Sequence, residues 1–143
     1  MELDRSIQDR MKRFSHHRAQ ILATYIAASD QFVKEVPAEN EQGLAIVARE
    51  LPSGDLSVKC LDVTIQLQLR MFIRDGKLSG QIKCLDLSDA DVDPSPVLGV
   101  VLLDRAGMCD CNYMGDPDKI EISYAFPEIV MHFVEEAMKR RDL

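Results

Sequence analysis

The chain lacks the short motifs that identify many enzyme classes. It has no glycine-rich phosphate loop, no Gly-x-Ser-x-Gly turn and no His-Glu-x-x-His pair. Tryptophan is absent, and the seven glycines fall mostly at predicted turns, so no loop has the composition of a ligand cradle. Scattered residues can still form an active site, but the missing motifs favour a non-catalytic protein.

Long hydrophobic runs are also missing. No apolar stretch approaches the roughly 18–20 residues that span a bilayer. The first residues, 1–6, are not a basic segment followed by an apolar one, so they are not typical of a secretory signal. We therefore expect a cytoplasmic protein with no membrane partner. We also expect its four cysteines to be reduced thiols.

Positive charge is scarce, since 17 Lys and Arg oppose 24 Asp and Glu for a net charge of −7. Phosphate binding needs a clustered basic face, so this balance argues against a nucleic-acid partner. Acid is concentrated between positions 86 and 121, where only Arg105 and Lys119 oppose it. Solvated loops are one interpretation, and an acidic docking surface or a mimic of a polyanion is the other. The acidic residues there are Asp86, Asp89, Asp91, Asp93, Asp104, Asp110, Asp116, Asp118 and Glu121.

One strand pattern organises the middle of the chain. Every odd position from Leu61 to Ile73 is apolar, which is typical of a strand with one buried face. Asp75-Gly76 then predicts a two-residue hairpin turn, after which a second apolar alternation begins. This turn sets a register that keeps the apolar residues of both strands on one face. The predicted pairs are Ile73 with Leu78, Leu69 with Ile82 and Leu67 with Cys84.

The apolar alternation changes parity at two places without an intervening breaker, at Cys60-Leu61 and at Cys84-Leu85. Both places carry the sequence Lys-Cys-Leu-Asp. A parity change inside a strand predicts a β-bulge, so we expect one at each place. A duplicated functional motif is the alternative interpretation of the repeat. Farther along, the nearly continuous apolar run 97–103 predicts a strand that is covered on both faces.

Amphipathic helices are predicted at both ends of the chain. Apolar residues recur at helical spacing from Ile7 to Phe32, which predicts a helix over residues 1–36. Its first half has fewer apolar and more charged residues, so we expect it to project as a surface arm or to pair with a second copy. Pro127 favours the first turn of a helix and predicts one over residues 127–141.

These elements predict one α+β domain over residues 1–143. Residues 43–124 hold about five or six strands, joined by short connections that favour an antiparallel sheet. The two helices flank this sheet, which gives a two-layer sandwich. In size, charge and element order the plan is broadly similar to that of small acidic secretion chaperones, without a shared motif.

The chemistry-bearing residues are few. Cys109 and Cys111 lie on one face of a predicted strand, and His132 is the best available base for either thiol. The acidic loop 86–93 resembles the start of a calcium loop. However, Pro94 stands where such a loop needs glycine, and Val100 stands where it needs glutamate. We therefore assign no catalytic, cofactor-binding or metal-ligating residue and expect no cofactor.

Two functional hypotheses follow. The first is a non-catalytic cytosolic protein-binding module, such as an adaptor, a chaperone-like protein or an inhibitor protein, possible as a homodimer. The second is a small enzyme or a ligand- or metal-binding domain that uses Cys109, Cys111 and His132 or the acidic loop 86–93. The missing motifs and the charged first half of the N-terminal helix favour the first hypothesis.

Overall fold

A computed structural model describes residues 2–110 and 118–141. Within these residues, a long helix and a shorter one pack on a seven-stranded antiparallel sheet in which every strand pairs with its neighbours along the chain. The elements are α1 (Arg5–Glu41), β1 (Val47–Glu50), β2 (Leu56–Cys60), β3 (Val63–Arg74), β4 (Lys77–Asp86), β5 (Val97–Leu103), β6 (Met108–Asp110), β7 (Lys119–Glu121) and α2 (Ile122–Arg140). The predicted α+β class and antiparallel sheet are confirmed, with seven strands in place of five or six.

The central hairpin has the predicted register. Ile73 pairs with Leu78, Leu69 with Ile82 and Leu67 with Cys84 across β3 and β4. The turn residues Asp75 and Gly76 both have positive φ, as a tight hairpin turn requires. The apolar face is buried only as far as Leu67, since Leu69 and Met71 are half-buried and Ile73 is exposed. The hairpin therefore extends beyond the part of the sheet that forms the core.

The two predicted bulges have different outcomes. The bulge at Cys84-Leu85 is confirmed, because the register between β4 and β5 shifts there. The prediction of a bulge at Cys60-Leu61 is wrong. Leu61 and Asp62 instead form the turn between β2 and β3, with φ of 51° and 66°. A two-residue turn pairs the residues on either side of it on the same face. It therefore shifts the parity of the apolar pattern as a bulge does, and alternation alone does not separate the two.

Both helices pack on one face of the sheet, and each approaches closely at a glycine that has no side chain to block it. A Cβ atom at Gly80 of β4 would lie 2.8 Å from Ile21 Cγ2 of α1, and one at Gly99 of β5 would lie 2.8 Å from Phe133 Cε1 of α2. Between the helices, the ring of Phe126 makes edge contacts with Tyr25 at 6.0 Å and Phe32 at 5.9 Å between centroids. These contacts form the core of a two-layer sandwich.

The opposite face of the sheet carries no helix in the described part of the chain. Val97 and Val100 of β5 are therefore 50% and 47% exposed. The prediction that residues 97–103 are covered on both faces is wrong. A continuous apolar run indicates a strand, but it does not show how many layers surround it. Among the described residues, neither helix has a stretch apolar enough to cross a bilayer.

The helix boundaries also differ from the prediction. α1 continues through Pro37 to Glu41, where Asn40 donates to the Ile46 carbonyl and accepts from its N–H, both at 2.9 Å. α2 begins at Ile122 rather than at Pro127. Ile122, Ala125 and Phe126 continue the buried stripe of this helix. Packing of that stripe on the sheet outweighs the preference of proline for the first turn.

Candidate functional site

The first four turns of α1, residues 5–18, form a segment that we call the arm. Asp4 caps its start, since Asp4 Oδ1 accepts a hydrogen bond from the Ile7 N–H at 3.1 Å. One apolar stripe runs along the whole helix, but its members are buried only from Ile21 onward. Within the arm, Ile7 and Phe14 are half-buried and Met11 is 45% exposed. The arm therefore carries apolar surface beyond the core.

The arm differs in charge from the rest of the protein. It holds five basic residues and a single acidic one, Asp9, which gives it a net charge of +4 in a chain of net charge −7. The remainder of the chain thus carries −11. The basic residues of the arm are Arg5, Arg10, Lys12, Arg13 and Arg18.

A cleft of about 590 Å³, which we call the basic cleft, lies beside the arm. Four parts of the fold form it, namely the arm, the tip of the β3–β4 hairpin, the turn between β5 and β6, and the start of β7. Its charged and titratable residues are Arg13, His17, Asp75, Lys77, Asp104, Arg105 and Lys119. Four cations therefore line it against two carboxylates.

Asp104 fixes the wall of the basic cleft that the β5–β6 turn provides. Its Oδ1 accepts hydrogen bonds from the N–H groups of Ala106 at 2.9 Å and Met108 at 3.0 Å. Its Oδ2 pairs with the Lys119 ammonium at 3.2 Å. The positive φ of Gly107, 81°, completes the turn. This network holds the turn that carries Arg105, which also lines the cleft.

His17 links the arm to that turn. Its Nε2 lies 2.6 Å from Arg105 Nη1, so a neutral His17 ring accepts a hydrogen bond from the guanidinium. Partial burial, Arg105 and the neighbouring His16 and Arg13 lower the pKa of His17 from its ordinary value. This shift favours the neutral, accepting form at neutral pH. The arm and the turn are thereby joined without cancelling the charge of Arg105.

The structure gives the candidate thiols little access to a substrate. Cys60, Cys84 and Cys109 are buried, and Cys111 lies outside the described residues. Burial raises the pKa of Cys60 and of Cys84, and Asp86 adds to the rise at Cys84. His132 is half-buried on α2, with its ring centroid 5.3 Å from that of Phe133. The hypothesis of a thiol-dependent enzyme stays a prediction, but a buried sulfur is a poor nucleophile toward an external substrate.

We expect the three described thiols to resist modification in the folded protein. In a Cys111→Ser variant, a thiol-specific chromogenic reagent should react slowly with the native protein, because burial blocks the sulfurs and keeps at least Cys60 and Cys84 protonated. Adding denaturant should release all three thiols at once. A fast-reacting thiol that a Cys109→Ser substitution then removes would contradict this result and restore the catalytic hypothesis.

The acidic loop 86–93 uses its carboxylates in local structure. Buried Asp86 pairs with Arg140 of α2 at 3.3 Å and accepts from the Ser88 N–H at 2.9 Å. Asp89 accepts from the Asp91 N–H at 3.0 Å. Across residues 2–110 and 118–141, no group of three His, Cys, Asp or Glu side chains is placed to hold a metal ion. An acidic docking surface stays a prediction, since Asp86 and Asp104 lie near opposite ends of β4 and Asp116 is outside the described residues.

Sequence reasoning missed the basic cleft. Its key pair, His17 and Arg105, is separated by 88 positions, so no local motif announces it. The net charge also pointed to an acidic surface. The available signal was the clustering of basic residues in the first half of the N-terminal helix, together with the expectation that this half projects from the core. Comparisons of the chain with protein-family models, with curated proteins and with solved structures found no match.

Proposed function

We propose that the protein is a non-catalytic protein-binding module of the cytoplasm that binds another protein through its arm. An adaptor, a chaperone-like protein or an inhibitor protein would each use such a surface. The free thiols of Cys60 and Cys84 are compatible with a reducing compartment. This proposal needs no catalytic group, metal or cofactor.

One observation carries the proposal, which is the abrupt change in burial along a single helix stripe. Ile21 and Tyr25 are covered by the sheet and by α2, whereas Met11 on the same stripe is 45% exposed. Where the apolar stripe of a helix extends beyond the core that it packs on, the rest of the helix has an exposed amphipathic surface. Grooves and helices of partner proteins recognise surfaces of this kind. The surrounding Arg10, Lys12 and Arg13 keep this surface soluble and favour fast encounter with a partner of opposite charge.

The arm is also anchored to the rest of the fold at its base. The His17–Arg105 hydrogen bond and the close approach of Ile21 to Gly80 fix its base against the sheet. A preordered helix loses less conformational entropy when it binds than a disordered segment does. The arm therefore presents Met11 and Phe14 as ready anchors for a partner.

A Met11→Asp variant tests the proposal. We expect it to lower recovery of the partner in affinity purification from native cells by about tenfold or more, because a charge replaces a central apolar anchor. The free energy of unfolding should change by less than about 0.5 kcal/mol, since Met11 is exposed. The matched control is Gln20→Asp, which adds the same charge at an exposed position on another face of α1.

The mass of the purified protein in solution is measured alongside. A dimer that Met11→Asp converts to a monomer would identify a second copy as the protein bound at the arm. A wild-type protein that is monomeric and recovers no stoichiometric partner would contradict the proposal. Equal recovery by wild type and Met11→Asp would contradict the role of the arm.

A further inference from the structure

The basic cleft reverses the sign of the charge at one end of the molecule. Arg13, Lys77, Arg105 and Lys119 meet there, although the whole chain carries −7. The acidic loop 86–93 lies at the other end of β4, roughly 30 Å away at about 3.3 Å per residue. The cleft is therefore separated from the acidic loop by most of the length of β4.

Three of the four cations in the cleft have no carboxylate bonded to them, although Asp75 also lines the cleft. Lys119 pairs with Asp104, but among the described residues Arg13, Lys77 and Arg105 form no ion pair. Arg13 has only a ring beneath it, with its guanidinium carbon 5.7 Å from the Phe14 centroid. Arg105 has only the neutral acceptor of His17. An anion that enters the cleft finds three cations without a competing carboxylate bonded to them.

The arrangement fits an extended anion better than a single small one. The three cations stand on three separate parts of the fold, and all three side chains are exposed. Tight phosphate sites instead converge backbone N–H groups on one point, often at a helix N-terminus or a glycine-rich turn. At about 590 Å³ the cleft has the size of a site for a ligand much larger than inorganic phosphate.

The cleft and the apolar stripe of the arm meet at Phe14. Arg13 lines the cleft, and its guanidinium lies over the ring of Phe14, which belongs to the stripe. A partner segment that packs on Phe14 would therefore also reach Arg13. This arrangement matches an amphipathic segment whose polar side is rich in aspartate and glutamate.

We propose that the basic cleft binds an acidic segment of a partner protein, with Arg13, Lys77 and Arg105 contacting its carboxylates. The inference rests on the proposed function for the partner being a protein. In this complex, Arg105 and Lys77 determine which partner binds, while the apolar stripe of the arm supplies the hydrophobic anchor.

A short fluorescent peptide rich in glutamate is the first probe, with binding followed by anisotropy. The Lys77→Glu/Arg105→Glu double variant should bind it about tenfold more weakly than wild type, since two attractive charges become repulsive. The control double variant, Lys34→Glu/Arg49→Glu, makes the same change in net charge at exposed positions outside the cleft and should bind like wild type. Raising the salt from about 0.05 M to about 0.5 M should also weaken wild-type binding.

Other results overturn the inference. Equal binding of the matched glutamine peptide would show that carboxylates are not recognised. Displacement of the peptide by inorganic phosphate, at a concentration where chloride of the same ionic strength has no effect, would identify a small-anion site instead. Equal loss of binding in both double variants would show that net charge alone attracts the peptide.

Recovery of the cellular partner separates this inference from the proposed function. If Met11→Asp loses the partner and Lys77→Glu/Arg105→Glu retains it, the acidic-segment inference fails and the binding module stands. If both lose the partner and the control double variant retains it, both are supported. If wild type recovers no partner, the proposed function fails, and peptide binding alone then decides whether the cleft recognises carboxylates.

Discussion

Replacing Phe126 with alanine should lower the free energy of unfolding by about 3–5 kcal/mol, the range for truncating a buried aromatic side chain. Phe126 is 1% exposed, and its ring joins the two helices through edge contacts with Tyr25 and Phe32. Alanine would remove the apolar area of the ring and both aromatic contacts, and it would leave a cavity between α1, α2 and the sheet.

Denaturant unfolding, followed by circular dichroism, measures this change. Tyr124→Ala is the matched control, because it also removes a ring from the first turn of α2, at a position 76% exposed. We expect the control to change stability by less than about 0.5 kcal/mol apart from the small difference in helix propensity. Similar losses for both variants would contradict the packing of α2 on α1 and the sheet.

Leu67→Ala should cost about 2–5 kcal/mol of unfolding free energy. Leu67 is fully buried on the helix-covered face of β3, opposite Leu56 on one side and Cys84 on the other. Because β2 and β4 fix β3 on both sides, the surrounding side chains cannot move in to fill the space that alanine leaves, and a cavity remains. Denaturant unfolding again supplies the measurement.

Ile73→Ala on the same strand is the control for Leu67→Ala. Ile73 has the same parity in β3, but it is 57% exposed near the tip of the hairpin. Its truncation should therefore cost less than about 1 kcal/mol. A loss below about 0.5 kcal/mol for Leu67→Ala would mean that the opposite face of the hairpin is buried.

The central hairpin was predictable because two independent signals agree there. Strict alternation fixes the face, and Asp75-Gly76 fixes the turn, so Leu67 and Cys84 could be paired before the structure was known. Alternation failed at Leu61-Asp62, where a turn without glycine shifts parity as a bulge does. Alternation also does not predict how deeply each apolar residue is buried. The position of the helices determines that Leu67 is buried and Ile73 is exposed.

The helix boundaries were less predictable, because proline preferences are weaker than tertiary packing. Pro37 and Pro127 were expected to lie outside or at the start of a helix, yet both lie within one. Removing one backbone donor near a helix end costs less than the burial of Ile122, Ala125 and Phe126 provides. Local rules therefore located the helices and misplaced their ends.

The candidate site was only half predictable. The sequence predicts that the charged first half of the N-terminal helix projects as a surface arm or pairs with a second copy, and Met11 in this half is 45% exposed. The basic cleft required the fold, because Arg13, Lys77 and Arg105 meet only when helix, hairpin and turn are assembled. Net charge summed over the chain concealed the cleft, since −7 describes the total and not its distribution.

Hydrogen exchange, measured for the purified protein alone and in complex with the partner it recovers from cells, tests whether the arm and the basic cleft bind that partner. We expect the partner to slow amide exchange in the arm, residues 5–18, and in the turns that line the basic cleft. Exchange elsewhere in the sheet should change little. Slowing confined to the open face of the sheet, around Val97 and Val100, with no change in the arm, would show that the partner binds elsewhere.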